Sequence, residues 1–239
     1  MSNAVRALAL LWLLLGPALA AADDYWLQAD AYHPAAGTRL VVHLVVGQSF
    51  AAREEKAYER GHTERFELRL PNDVRDLLAS TNDGVKPLFD DTLPAPGPFL
   101  MTMVRGSEQA GRERGWHFLK LLGHTGDETE TDLHHRFTGM QYEIVLLQNP
   151  LTMHAGDEQI VQLLFETKPL ASASAFALHR GADGGVTELT GLSDAHGVVR
   201  FTLTQPGVWL IRSVHTRPCK GCKDADSESF SAAYSFSVE

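Results

Sequence analysis

The chain has 239 residues, a formal net charge of −9 at neutral pH, two cysteines and eleven histidines. An acidic balance argues against nucleic acid and anionic membrane surfaces as partners. Two cysteines are too few for a disulfide-scaffolded mini-domain, and the length suits one large or two ordinary domains.

Arg6 precedes an apolar run from Ala7 to Leu15, then come Gly16-Pro17 and the small-x-small Ala18-Leu19-Ala20. A charged start, a short apolar run and a small-residue cleavage site predict a secretory signal peptide over residues 1–20. The run is too short to span a bilayer comfortably, and no later run approaches spanning length. The expected product is exported, periplasmic and not membrane-spanning, and loss of Arg6 takes its charge from −9 to −10.

The remainder reads as β-structure. Tyr25-Trp26-Leu27-Gln28 suggests a first strand, Tyr32 to Gly37 a turn, and Thr38 to Val46 a strand with Leu40, Val42, Leu44 and Val46 on one face. Ala51 to His62 is polar and reads as a loop or short helical turn. Glu64 to Leu70 alternates strictly, with Phe66, Leu68 and Leu70 inward, and Pro71-Asn72-Asp73 stops it. Val85 to Phe89 is expected to form a short edge strand and Phe99 to Val104 another strand. Gly106 to Gly115 is polar, Trp116 to Leu122 fits a helix or a strand, and Gly123 to Asp132 is an acidic loop.

Met140 to Leu147 opens a fresh series of strands and turns, so a domain boundary is expected near 138–150. This gives a β-rich domain over 21–138 and a second domain over 139–239. In the second, strands are expected at Gln159 to Phe165, Ser174 to His179, Val186 to Leu189, Val199 to Leu203, Val208 to Val214 and Phe230 to Val238. Gln205-Pro206-Gly207 supplies a tight turn, since Pro fixes φ and Gly accepts positive φ. Six or seven short strands in about ninety residues suggest an immunoglobulin-like Greek-key sandwich. The predicted fold class is therefore all-β, with two β-sandwich-like domains. No Gly-rich phosphate loop, nucleophile elbow or fixed-period repeat is visible, and an enzyme is not expected.

Gly139-Met-Gln-Tyr-Glu-Ile-Val-Leu-Leu-Gln-Asn-Pro150, Lys168-Pro-Leu-Ala171, Ala177-Leu-His-Arg180, Thr190 to Phe201 and Pro206 to His215 resemble the DUF4198 family. The likeness is closest over 139–239 and looser over 23–110. The resemblance implies a β-rich periplasmic protein, in some members described as NikM-like and associated with cobalt and nickel transport. Many members carry a histidine at the start of the mature chain, where this sequence has Ala22-Asp23-Asp24.

The leading candidate site is His215 with Cys219, Cys222 and the acids Asp224, Asp226 and Glu228. Imidazole and thiolate suit nickel, cobalt, zinc or copper, and Cys-x-x-Cys lets both sulfurs reach one ion. The competing reading is a small disulfide, which an oxidising compartment favours. A second candidate is His134 and His135, near His117, His124 and an acidic loop. Adjacent residues on a strand face opposite ways, so this pair shares an ion only if it lies in a loop. His33, His43, His62 and His154 are scattered at turns and strands. Two functions follow as expectations. One is a non-enzymatic carrier of a transition-metal ion serving a metal-uptake permease at the inner membrane. The other is a structural or adhesive sandwich module that binds a protein or glycan, its expected mark an exposed aromatic patch at Trp116 and Phe118.

Overall fold

The computed structural model of the protein describes residues 24–48, 50, 52–181 and 183–239. The expected signal peptide lies outside the described residues. Strands run in chain order as β1 (Asp24–Ala29), β2 (Arg39–Gln48), β3 (Ala52–Lys56), β4 (Thr63–Leu70), β5 (Asp73–Asp76), β6 (Phe89–Thr92), β7 (Gly97–Ala110) and β8 (Glu113–Thr125). After a 3-10 turn at Leu133–His135 come β9 (Tyr142–Leu146), β10 (Glu158–Phe165), β11 (Lys168–Pro169), β12 (Ser174–Arg180), β13 (Val186–Leu192), β14 (Val198–Thr202), β15 (Gly207–Pro218) and β16 (Ser227–Val238).

The fold is all-β, as expected. Its frame is an eight-stranded sheet in the order β13-β12-β15-β16-β8-β7-β4-β5. Every pairing in it is antiparallel except β16 with β8, which runs parallel from Ser227 beside Glu113 to Ser235 beside Leu121. One face is covered by β9, β10, β11 and β14, and the other by β1, β2, β3 and β6.

Two cores lie on the two faces of this shared sheet. On one, Trp209, Ile211, Phe230, Tyr234 and Phe236 pack with Tyr142, Ile144, Val161, Leu163 and Phe201. On the other, Phe66, Met101, Leu119 and Leu121 pack with Trp26, Leu27 and Leu44. β16 shows how sequence sets this up. Phe230, Ala232, Tyr234 and Phe236 point into the first core, and the intervening Ser231, Ala233 and Ser235 are small. Small residues let β1 approach closely, and the Ser235 hydroxyl donates to the Leu27 carbonyl at 2.6 Å.

The C-terminal sandwich sets β9, β10 and β14 against β13, β12, β15 and β16. Seven strands that switch between two sheets in this way form the immunoglobulin-like pattern. The 138/139 division falls in the connection from β8 to β9. Leu100, Val104, Phe118 and Leu122, which precede it, sit in the first core, while Leu178, Leu210 and Ala233 sit in the second.

Trp116 to Leu122 is strand rather than helix. It shows no alternation because β8 is central and buried on both faces. The edge strand expected at Val85 to Phe89 begins instead at Phe89, since Pro87 has no N–H to give a ladder. The polar stretch from Gly106 to Gly115 is mostly the far ends of β7 and β8, which pair to Ala110 and Glu113.

Candidate functional site

β15 and β16 run antiparallel to Pro218 and Ser227, and the loop between them carries both cysteines. Gly221, at φ 82°, allows the reversal. Cys219 and Cys222 form a disulfide, with their Cα atoms 5.8 Å apart. The loop is held to the β7–β8 hairpin. Arg112 grips the Asp226 carboxylate with two bonds of 2.7 Å, and Arg114 donates to Asp224 at 2.5 Å. These guanidinium partners hold both carboxyls below the usual aspartate range. Backbone bonds add Cys219 N–H to Asp226 O and Asp226 N–H to Arg112 O.

One donor atom from each of Cys219, Cys222 and Glu228 lies within 4.8 Å of the others, the sole such group of three among the described residues. Glu228 is also bound by Arg217 Nε at 2.7 Å, and Arg217 reaches across to Glu166 at 2.8 Å. The corner therefore holds two sulfurs and a carboxylate, with one cation already beside the carboxylate. Thiolates ligate metal ions; disulfide sulfurs do not act in that role. As a ligand set the corner depends on reduction.

His215 is not in this group. Its ring packs against Phe165 at 4.5 Å and lies near Tyr142 and Phe230. A strand rises roughly 3.3 Å per residue, so four residues of β15 carry the chain well away before Cys219. Burial, and then the Arg217 charge, push the His215 imidazole below its ordinary pKa. His134 and His135 sit in the 3-10 turn with His135 Nδ1 and His134 Nε2 3.1 Å apart, so each ring spends a nitrogen on the other. His134 is buried and its pKa is lowered, by burial first and then by His135.

A second site was not foreseen. Where β1 begins, a cleft of about 470 Å³ opens over the central sheet, with Tyr25, Glu108, His117 and Arg212 in its lining. Arg105 lies behind them, 1% exposed, bridging Glu59 at 2.8 Å and Glu108. Its guanidinium stands 4.8 Å from the Tyr25 ring centre, and the His117 ring is 4.5 Å from the same ring. Burial pushes His117 down to about 4, so its imidazole is neutral at physiological pH. Burial, followed by the Glu108 charge, pushes Tyr25 up to about 12. Arg212 pairs with Asp24. A neutral imidazole, a phenol and fixed charges of both signs can orient a small polar ligand. The sequence signal was a charge inside an apolar run, as in Met103-Val104-Arg105 and Leu210-Ile211-Arg212.

The aromatic patch expected at Trp116 and Phe118 is not exposed. Phe118 is buried and Trp116 stacks on Phe230 at 5.2 Å. Among the exposed apolar groups, Phe137 and Leu147 line a groove with Val145 and Leu164 on the outer face of β9 and β10, while Val74, Leu192 and Val214 are exposed elsewhere.

These features define an immunoglobulin-like β-sandwich module with a disulfide-closed corner. The chain belongs to the DUF4198 family, a domain of unknown function, whose model matches residues 20–217. No curated protein matches it. Among solved structures, the D0–D1 domain of intimin is 14% identical, over 89% of this chain and 97% of its own, with a TM-score of 0.25. A tetra-tandem repeat from the extending region of a large adhesion protein is 10% identical, over 91% of this chain and 50% of its own, with a TM-score of 0.27. Fibronectin(III)-like modules of Clostridium thermocellum CbhA are 12% identical, over 89% and 94%, with a TM-score of 0.23. At such scores these likenesses carry no argument about function. No helix among the described residues is long and apolar enough to cross a membrane.

Proposed function

We propose that this chain is an exported, non-enzymatic binding protein whose dithiol form takes a transition-metal ion as cargo. The donors are Cys219, Cys222 and Glu228, and the recipient is a metal-uptake permease at the inner membrane. The observation that carries this reading is the approach of the three donor atoms to within 4.8 Å of one another. Two thiolates and a carboxylate leave a coordination position open, which suits an ion that must be passed on. Soft sulfur donors favour nickel, cobalt, copper or zinc over calcium or magnesium. Export rests on the signal-like residues 1–20. Equilibrium dialysis against these four ions, with and without reductant, tests the proposal. Binding tighter than about micromolar by reduced protein alone supports it, and no binding in either state removes it.

The disulfide favours a second reading. If the cysteines stay bonded, the corner is a closed loop, and a structural or adhesive module that binds a protein or glycan through its surface becomes the better account. The apolar groove at Phe137 and Leu147 is where a partner would sit. Thiol titration of protein isolated without reductant separates the two: free thiols support the carrier, and none supports the adhesive module.

A further inference from the structure

One pair of buried side chains serves neither reading. Lys120 on β8 and Glu143 on β9 meet between the central sheet and the small sheet, 2% and 0% exposed, with Nζ 2.5 Å from Oε1. Oε1 also accepts from Thr138 N–H at 2.7 Å and from Thr138 Oγ1–H at 2.8 Å. Oε2 is buried and has no partner. Nζ further donates to the Ile144 carbonyl at 3.1 Å, and the Tyr234 ring centre lies 5.4 Å away. The geometry is that of an amine held against a carboxyl group whose two oxygens are unequal. One is gripped by donors and the other is free.

We infer that Lys120 and Glu143 condense to an isopeptide bond, a covalent cross-link between β8 and β9. One proton passes from the ammonium to the carboxyl group, giving a free amine and a carboxylic acid. The Nζ lone pair adds to Cδ of Glu143, and the charge that develops on Oε1 is met by the two Thr138 donors. Oε2 leaves as water, taking the acid's proton and one from nitrogen. An N–C bond forms, a C–O bond breaks, and no oxidant or reductant takes part. Fixed proximity supplies the entropy of a bimolecular step in advance. Burial favours the uncharged amine, the direction in which it moves the Lys120 pKa. The product also removes the cost of keeping two charges out of water.

The test is peptide mapping of the full chain, denatured, reduced and cut with trypsin. The expected product is residues 115–136, uncut after Lys120, joined to residues 137–180 and lighter than their sum by one water. Lys120→Arg and Glu143→Ala are each expected to give only linear peptides. Full cleavage after Lys120, with 137–180 at its linear mass, would overturn the inference. So would persistence of the water-deficient species in either variant. The wild-type map decides alone if the variants fail to fold. The link needs neither metal nor disulfide, so its fate is independent of the metal reading.

Discussion

His117 should make the protein acid-labile, and replacing it with phenylalanine should remove that lability. The imidazole is nine-tenths buried, under the Tyr25 ring, with Glu108 and Arg105 as its charged neighbours. Burial is the largest influence and takes its pKa from the ordinary 6.5 to about 4, against the opposing pull of Glu108. Folding therefore favours the neutral ring, and the unfolded chain binds the extra proton. The stabilisation is fully present above pH 6.5 and is lost as pH falls from 6.5 towards 4. From pH 7 to pH 4 the loss is about 3 kcal/mol. Urea unfolding of the wild type and His117→Phe across this range measures it. The wild type should lose about 3 kcal/mol more than the variant, because the other groups titrate in both. Parallel curves would refute the reasoning, since they would mean that His117 is solvated and titrates alike in both states.

Gly123→Ala should destabilise by about 1–3 kcal/mol in the same assay. A Cβ there would lie 2.5 Å from the Tyr32 carbonyl oxygen and 2.7 Å from the Phe99 ring, and the first of these is backbone. Lys120→Met should cost at least about 3–5 kcal/mol, because it removes the cross-link and strands the Glu143 carboxylate in the interior. Lys120→Met with Glu143→Leu should recover only the stranded-charge part of that loss, since the cross-link stays absent. Equal destabilisation in the single and double variants would contradict this account.

Strands with one buried face were legible. Phe66 and Leu68 in β4, and Val199 and Phe201 in β14, point inward as their alternation implies. β7 and β8 were harder, because both faces are covered and the period-two signal vanishes. Their polar ends, through Glu108 and Glu113, read as loop although they are paired. The parallel pairing of β16 with β8 joins residues more than a hundred apart, and no local pattern announces it. The closeness of Cys219, Cys222 and Glu228 was legible, because a short loop decides it. His215 was drawn in by its nearness in sequence, but extended backbone spreads neighbours out, and its ring turns to Phe165. The clearest unused signal was Arg105, Lys120, Glu143 and Arg212, four charges inside apolar runs. They mark the cleft and the buried pair.

The carrier account stands or falls on titrating cobalt(II) into fully reduced protein and following thiolate-to-metal absorbance, beside the oxidised protein and Glu228→Gln. It predicts a band that saturates at one equivalent in the reduced wild type, a weaker affinity in Glu228→Gln, and no band in the oxidised form. Reduced protein that gives no thiolate band would contradict it.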